Sequence, residues 1–242
     1  MVHRLFKSGL ATVIYDDELV DANCGKLFQL EWLHANSGGQ KLERGTAVMF
    51  QYGGLELVFK QYHRGGLIGR WIAKTYRYCR LKNTRVWREF HMLDATHKLG
   101  LPVPRPVAAC CTGITPIAYR GAVITERVPG SKNLTEILCE QPLSNELWGK
   151  LGTLIARFHT LNVFHADLNT SNILLADKEK FYLVDFDKGE VRTPLSRKDA
   201  ESNVARLHRS LNKLQGRHPA FCFSEDNWQA LTSAYQRAIN SD

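Results

Sequence analysis

The most informative part of the sequence is His165-Ala166-Asp167-Leu168-Asn169-Thr170-Ser171-Asn172, which two short apolar runs separate from Asp185-Phe186-Asp187. Transfer of a phosphoryl group needs a carboxylate beside the attacking hydroxyl and oxygen ligands that hold Mg²⁺ at the nucleotide phosphates. A loop of the form Asp-x-x-x-x-Asn, followed after a hairpin by a second Asp, supplies both. We therefore predict that Asp167 orients the hydroxyl and accepts its proton, and that Asn172 and Asp185 hold Mg²⁺.

These two motifs resemble the catalytic loop and the metal-binding loop of the protein-kinase-like superfamily, in the same order. The alternative is a solvated turn whose Asp and Asn only cap the local backbone, but two motifs with apolar strands between them favour the kinase interpretation. We expect His165 to brace the loop through a hydrogen bond rather than to act as a base, although its usual pKa would permit that role. The resemblance implies an α+β, bilobed fold with a small antiparallel β-sheet in the N-terminal lobe and a mainly helical C-terminal lobe.

The same resemblance implies a lysine at the end of an N-terminal strand and a glutamate on the following helix. Lys60 ends the apolar run Leu57-Val58-Phe59, and Glu89 lies in residues 85–97, where apolar residues recur at helical spacing. Lys60 would contact the α- and β-phosphates of ATP, and Glu89 would hold it in place. A strand-end lysine that extends into solvent and a solvated helix glutamate are the alternative.

Two further nucleotide contacts are predicted from their place along the chain. Gly45 precedes the first strand of a predicted hairpin, where its backbone N–H could bind a phosphate. The full motif G-x-G-x-x-G is absent, so an ordinary turn explains Gly45 equally well. Residues 125–128 correspond to the segment that joins the two lobes, where the backbone of Glu126 and of Val128 would bind the adenine.

Apolar patterning divides the chain into a strand-rich first half and a helix-rich second half. Residues 47–59 contain two apolar runs around a Gly-Gly pair, which predicts a β-hairpin. Ser144 stands at an N-cap position before a segment with apolar residues at helical spacing. We predict two domains, a nucleotide-binding lobe at residues 1–127 with an inserted segment at 63–85, and a catalytic lobe at residues 128–242.

The positive charge of the chain is concentrated in residues 63–85, here called the basic segment. The chain has 32 Lys and Arg against 24 Asp and Glu, a net charge of +8, and the basic segment holds seven Lys and Arg and no acidic residue. Because Trp, Tyr and Ile are interleaved with these charges, we expect the segment to bind an anionic membrane surface rather than to be only a solvated basic face. Nucleic acid is not expected as a partner, because no recognised nucleic-acid-binding motif is present.

The sequence shows no signal peptide and no apolar run of about 18 residues, so we predict a peripheral protein on the cytoplasmic side.

Several departures distinguish the sequence from the protein kinases. Ala166 replaces the Arg of the H-R-D motif, Asn169 replaces the catalytic-loop Lys, and no A-P-E motif follows. The short connection after Asp187 leaves no room for a peptide-binding activation loop. Asp187 also replaces the Gly of D-F-G, where it could recruit a second ion or alter the loop. In having a small residue before the catalytic Asp, the sequence is similar to aminoglycoside and other small-molecule phosphotransferases.

Four segments taken together resemble one bacterial family, the 3-deoxy-D-manno-octulosonic acid (Kdo) kinases, which are lipopolysaccharide kinases. The segments are residues 61–69, Arg88-Glu89-Phe90, residues 100–106 and His165-Ala166-Asp167-Leu168-Asn169. The resemblance covers about residues 40–220 and therefore most of the chain.

The resemblance implies transfer of the γ-phosphate of ATP, with Mg²⁺, to the 4-hydroxyl of the Kdo sugar of Kdo-lipid A. The reaction would take place at the cytoplasmic face of the inner membrane of a Gram-negative bacterium, which the basic segment would bind. No obligate protein partner is implied. Three alternatives stay open: a lipopolysaccharide core heptose kinase, a kinase-fold pseudoenzyme or membrane adaptor, and a basic RNA-binding protein, whose affinity would depend steeply on salt. Retention of Lys60, Asp167, Asn172 and Asp185 argues against the pseudoenzyme.

Overall fold

A computed structural model describes residues 2–38, 47–62, 76–77, 80–115 and 118–241 of the chain. It divides into two compact units, Met1–Asp94 with Pro104–Arg127, and Ala95–Val103 with Val128–Asp242. Residues 95–103 belong to the second unit because the Leu183 N–H donates to Pro102 O (3.0 Å) and Arg157 Nη2 donates to Gly100 O (3.1 Å). Gly45 and most of the basic segment lie outside the described residues.

The first unit is built on one antiparallel sheet. Its strands and helices are β1 (His3–Ser8), β2 (Ala11–Asp16), α1 (Leu30–Asn36), β3 (Val48–Tyr52), β4 (Leu55–Gln61), β5 (Tyr76–Arg77), α2 (Arg85–Lys98), β6 (Pro106–Thr115) and β7 (Ala118–Glu126). The last four residues of α2 belong to the second unit. Among the described residues, six strands pair in the order β1-β2-β6-β7-β4-β3, and β5 joins the sheet through β7. The predicted hairpin is confirmed as β3 and β4, and its turn residues Gly53 and Gly54 have φ of 59° and 81°, which glycine adopts without strain.

Both faces of this sheet are buried. One face packs around Phe59 and Ile124 together with Leu33 of α1, and the other packs around Val123 together with Phe90 of α2. Because successive residues of a strand point to opposite faces, a strand covered on both sides is a continuous apolar run. The same alternation turns Lys60, the neighbour of Phe59 and the register partner of Val123, toward the face that α2 covers.

Strands β1, β2 and β6 were not predicted from the sequence. Strand β6 has the sequence Pro-Val-Ala-Ala-Cys-Cys-Thr-Gly-Ile-Thr, whose small residues have weak strand preference, and the prolines before it indicated only the end of a helix. In the structure β6 lies between β2 and β7, so neighbouring strands and burial decide its conformation.

The second unit is mainly helical, as predicted. Its elements are β8 (Lys132–Asn133), α3 (Leu134–Glu140), α4 (Asn145–Thr160), β9 (Val163–Phe164), β10 (Ile173–Ala176), β11 (Lys180–Leu183), β12 (Glu190–Val191), α5 (Arg197–Gln215) and α6 (Glu225–Ile239). Ser144 is the N-cap of α4, where its hydroxyl accepts from the Leu147 N–H at 3.3 Å. Strands β10 and β11 form an antiparallel hairpin with Ile173 opposite Leu183. The loop from Asp167 to Asn172 precedes this hairpin, and Asp185 follows it.

Helices α4 and α6 pack closely because residue 152 is glycine. A Cβ atom on Gly152 would overlap the backbone carbonyl oxygen of Leu231 in α6. At Gly149, almost one turn earlier on α4, the nearest atom to a Cβ would be Ala234 Cβ at 3.7 Å, an ordinary van der Waals contact. The two glycines of one helix therefore differ in whether the fold needs them.

We expect Gly152→Ala to lower the free energy of unfolding by about 1–3 kcal/mol, because the added methyl group must displace the backbone of α6. The matched variant Gly149→Ala should be neutral or should stabilise by up to about 1 kcal/mol, since alanine is the better helix former. Urea unfolding of both variants measures the difference. Equal stability of the two variants would contradict the close packing of α4 and α6.

Candidate active site

In the first unit, Lys60 and Glu89 form an ion pair across the boundary between sheet and helix. Lys60 Nζ lies 3.4 Å from Glu89 Oε1, although the residues are 29 positions apart in the sequence. Helix α2 comes close to the sheet because a Cβ on Gly121 of β7 would overlap the side chain of Val86. The Glu89 side chain is 3% exposed and that of Lys60 is 33% exposed. A buried carboxylate requires a charged partner. Glu89 therefore fixes the ammonium group of Lys60, which stays partly accessible to solvent.

In the second unit, His165 braces the loop that carries Asp167. The His165 Nε2–H donates to Val184 O at 2.8 Å, and His165 Nδ1 accepts from the Asp167 N–H at 3.3 Å. This arrangement needs a neutral ring, and burial lowers the pKa of His165 below its usual value. Both ring nitrogens are engaged, so His165 makes the bracing hydrogen bonds that the sequence predicts.

A buried polar network continues from His165 into three helices. Asn203 of α5 donates from its side-chain nitrogen to His165 O (2.5 Å), and its side-chain oxygen accepts from His159 Nε2 of α4 (3.2 Å). His159 Nδ1 in turn accepts from the Tyr235 hydroxyl of α6 (2.9 Å). Burial also lowers the pKa of His159. The network fixes the loop backbone relative to α4, α5 and α6.

Two amide side chains hold the backbone carbonyl of Asp167. Asn169 Nδ2 and Asn172 Nδ2 donate to Asp167 O at 3.0 and 2.9 Å. Because the Asp167 N–H is bonded to His165 as well, both sides of this peptide are fixed, while the Asp167 carboxylate itself is 51% exposed. The loop therefore presents the Asp167 carboxylate at the surface of the unit on a rigid backbone.

Asn172 and Asp185 are brought together by the hairpin of β10 and β11. The Val184 N–H donates to Asn172 O at 3.0 Å, which extends the pairing of Ile173 with Leu183 by one residue and places Asp185 next in line. Since the amide nitrogen of Asn172 is bonded to Asp167 O, its amide oxygen is the atom that can bind a cation.

The backbone at Asp185 lies in the left-handed region, with φ of 67°. Aspartate tolerates this region better than most residues. The next residue, Phe186, is 1% exposed, stacks on Phe158 with ring centroids 6.1 Å apart, and contacts the His165 ring edge-on at 4.5 Å. The buried phenylalanine fixes the direction in which Asp185 leaves the hairpin.

One contact of Asp167 was not predicted. Arg206 of α5 donates from Nη1 to Asp167 Oδ1 at 3.0 Å. The residues are 39 positions apart and no motif includes Arg206, so the sequence contains no local signal for the contact.

The other predicted nucleotide contacts stay predictions. The Glu126 N–H donates to Arg105 O (2.9 Å) in the first unit, and Val128 O accepts from the Ser131 hydroxyl (2.8 Å) in the second. Gly45 lies outside the described residues. Within the described ranges, no group of three or more His, Cys, Asp or Glu side chains is arranged to bind a metal ion.

The protein has the fold of the protein-kinase-like class. Two solved structures share the fold: WaaP in complex with acyl carrier protein (TM-score 0.56, 14% identity, 90% of this chain and 88% of that chain), and a glucosamine kinase in complex with glucosamine, ADP and inorganic phosphate (TM-score 0.55, 14% identity, 98% and 82%). At this identity they support the fold alone.

Sequence comparison gives the family. The profile of the lipopolysaccharide kinase (Kdo/WaaP) family matches residues 31–235, and the chain belongs to this family. A 3-deoxy-D-manno-octulosonic acid kinase of Haemophilus influenzae (strain 86-028NP) is 37% identical over 210 residues, which cover 82% of this chain and 84% of the relative. The family and the fold class predicted from the sequence are both confirmed.

The two buried histidines should make the stability of the protein fall in mild acid. Burial lowers the pKa of His159 and of His165 in the folded state, whereas unfolded histidine titrates near about 6.5. Their contribution is therefore complete above pH of about 6.5. It is lost as the pH falls toward the lower, folded pKa, by up to about 1.4 kcal/mol per histidine and pH unit, because only the unfolded chain takes up the protons.

Urea unfolding between pH 7.5 and 5.5 measures this dependence. His159→Gln should make the dependence shallower, because one of the two buried rings is removed. A His159→Gln variant with the slope of the wild type would contradict the neutral network.

Proposed function

We propose that the protein is an ATP-dependent kinase that phosphorylates the Kdo sugar of Kdo-lipid A in lipopolysaccharide core biosynthesis. The observation that carries the proposal is the half-exposed Asp167 carboxylate on a rigid loop, in a chain of the lipopolysaccharide kinase family. The relatives named as Kdo kinases support the sugar, while the 4-hydroxyl comes from the resemblance of the sequence. A heptose of the core stays the alternative acceptor.

Asp167 is the proposed base. Its backbone N–H and C=O are both hydrogen-bonded, so the carboxylate keeps its position without being buried, and an acceptor hydroxyl can reach it. A carboxylate in this place orients the hydroxyl toward the phosphorus atom and accepts its proton as the new bond forms. The exposed side chain suits a large acceptor such as a sugar on a glycolipid.

Asn172 and Asp185 are the proposed ligands of Mg²⁺. An amide oxygen and a carboxylate are hard oxygen donors, and Mg²⁺ in kinases is commonly held by one or two protein groups together with phosphates and water. The two residues therefore fit the ion without a larger protein cage. When bound, Mg²⁺ neutralises negative charge on the nucleotide phosphates.

Lys60 is the proposed phosphate-binding cation, and Glu89 positions it. The pair leaves about a third of the lysine side chain accessible, so the ammonium group can contact an anion while the buried carboxylate holds it. Gly45 and the backbone of Glu126 and Val128 complete the proposed nucleotide contacts, as the sequence predicts.

We expect Asp167→Ala to reduce transfer of labelled phosphate from ATP to purified Kdo-lipid A by more than about 10²-fold, because proton transfer and orientation are lost together. Nucleotide binding should stay close to that of the wild type, since Asp167 faces the acceptor. The control Asp226→Ala removes an exposed carboxylate at the start of α6 and should retain full activity. A heptosylated acceptor, assayed alongside, distinguishes the two candidate sugars.

An Asp167→Ala variant that keeps near wild-type turnover would exclude Asp167 as the base. Turnover confined to the heptosylated acceptor would favour the heptose kinase instead.

The proposed location is the cytoplasmic face of the inner membrane, with the basic segment bound to anionic lipid. Of the seven basic residues, Arg80 and Lys82 are exposed in the described part of the chain, and Arg85 at the start of α2 is partly buried. No helix in the described part of the chain has the length and apolar character needed to span a bilayer. A peripheral attachment through positive charge suits an enzyme whose acceptor is an anionic glycolipid of the membrane.

Replacement of Arg80 and Lys82 by Gln should weaken binding to vesicles that contain anionic lipid by about tenfold or more, since each basic residue near the surface contributes about 1 kcal/mol. The control variant, with Lys7 and Lys198 replaced by Gln, removes the same charge elsewhere and should bind like the wild type. Co-sedimentation with vesicles at low and high salt measures both. Equal loss in the two variants would show that net charge, and not this segment, drives binding.

A further inference from the structure

The ion pair between Arg206 and Asp167 is too exposed to be explained by stability. The Arg206 side chain is 48% exposed and that of Asp167 is 51% exposed. Exposed ion pairs contribute about 0–1 kcal/mol, because water screens the charges and the side chains lose freedom. The contact nevertheless places a guanidinium group directly on the proposed catalytic carboxylate.

The guanidinium group of Arg206 has donors beyond the one that Asp167 uses. Nη1 is bonded to Asp167 Oδ1, while a guanidinium carries five N–H donors in a planar fork. For Arg206, Asp167 is the only acidic partner within 4.0 Å that the described ranges contain. A second edge of the guanidinium group can therefore receive another oxygen anion beside the base.

The chain around Arg206 is basic: residues 202–224 contain four Lys and Arg and no acidic residue, and Glu201 and Glu225 border this stretch. Asn169, at the position of the catalytic-loop lysine of protein kinases, adds no charge and serves the loop instead, with its Oδ1 accepting from the Ser171 N–H (2.9 Å) and the Ser171 hydroxyl (2.6 Å). Arg206 is thus the cation that directly contacts the Asp167 carboxylate.

We propose that Arg206 binds the carboxylate of the acceptor sugar through the part of its guanidinium group that Asp167 leaves available. This inference rests on the proposed function. The acceptor is a sugar acid whose carboxylate lies only a few bonds from its ring hydroxyls. The carboxylate can therefore contact Arg206 while a ring hydroxyl contacts Asp167. Arginine binds carboxylates in a geometrically specific, charge-assisted manner. A heptose has no carboxylate, so Arg206 selects the acidic sugar over the neutral one.

The test compares Kdo-lipid A with the same acceptor after chemical reduction of the Kdo carboxylate to a neutral alcohol. For the wild type we expect a kcat/KM at least tenfold higher with the acid. Arg206→Gln should abolish most of this preference by raising KM for the acid about tenfold or more, with KM for ATP unchanged. Arg206→Lys should restore part of the preference, because the charge is kept and the fork is lost.

The matched control is Arg209→Gln, which removes an exposed arginine less than one turn further along α5. It should change kcat/KM for either acceptor by less than about twofold. Thermal unfolding of Arg206→Gln should match that of the wild type. If Arg206→Gln lowers kcat equally for both acceptors and leaves KM alone, Arg206 only positions Asp167 and the proposal is wrong. An equal loss of the preference for the acid in Arg209→Gln would also overturn the proposal, because general electrostatic attraction would then explain the preference. Wild-type protein that phosphorylates neither acceptor would instead refute the proposed function, and the inference with it.

Discussion

The loop that carries Asp167 depends on the hydrogen bonds of the Asn203 side chain. This side chain joins the His165 carbonyl to the His159 ring inside the second unit, and the residue is 2% exposed. Without it, several buried polar groups would lose their partners, each at a cost of about 1–3 kcal/mol. Because these buried hydrogen bonds fix the loop backbone, the Asp167 carboxylate can be exposed to a large acceptor and still keep its orientation.

The first unit follows the same physical rule. A buried Glu89 carboxylate fixes a partly exposed Lys60 ammonium group, as the buried His165 ring fixes the exposed Asp167. In both units a group with a proposed chemical role stays accessible, and a neighbour that is removed from water supplies the rigidity. Preorganisation of this kind lowers the cost of orienting groups during phosphoryl transfer.

The sequence predicted those parts of the fold and site that are encoded by short motifs. Asp167, Asn172 and Asp185 could be recognised because one loop and one hairpin position them, and the structure places the Asn172 and Asp185 segments side by side. Asn203 and Arg206 could not, since they reach the loop from 38 and 39 residues away on a helix whose periodicity shows only which face is apolar. Strand β6 was missed because its small residues form a strand only between two neighbours. The roles of the site residues, Gly45 among them, stay predictions.

The position of the new phosphate in the product is the most direct test of whether the protein phosphorylates the Kdo sugar. Purified protein would be incubated with Mg²⁺, ATP and Kdo-lipid A, and the product examined by mass spectrometry and by phosphorus–proton correlation in NMR. We expect one added phosphate ester on a hydroxyl of the Kdo sugar, with ADP formed in equal amount. A phosphate ester on another sugar, or ADP formed without any phosphorylated glycolipid, would contradict it.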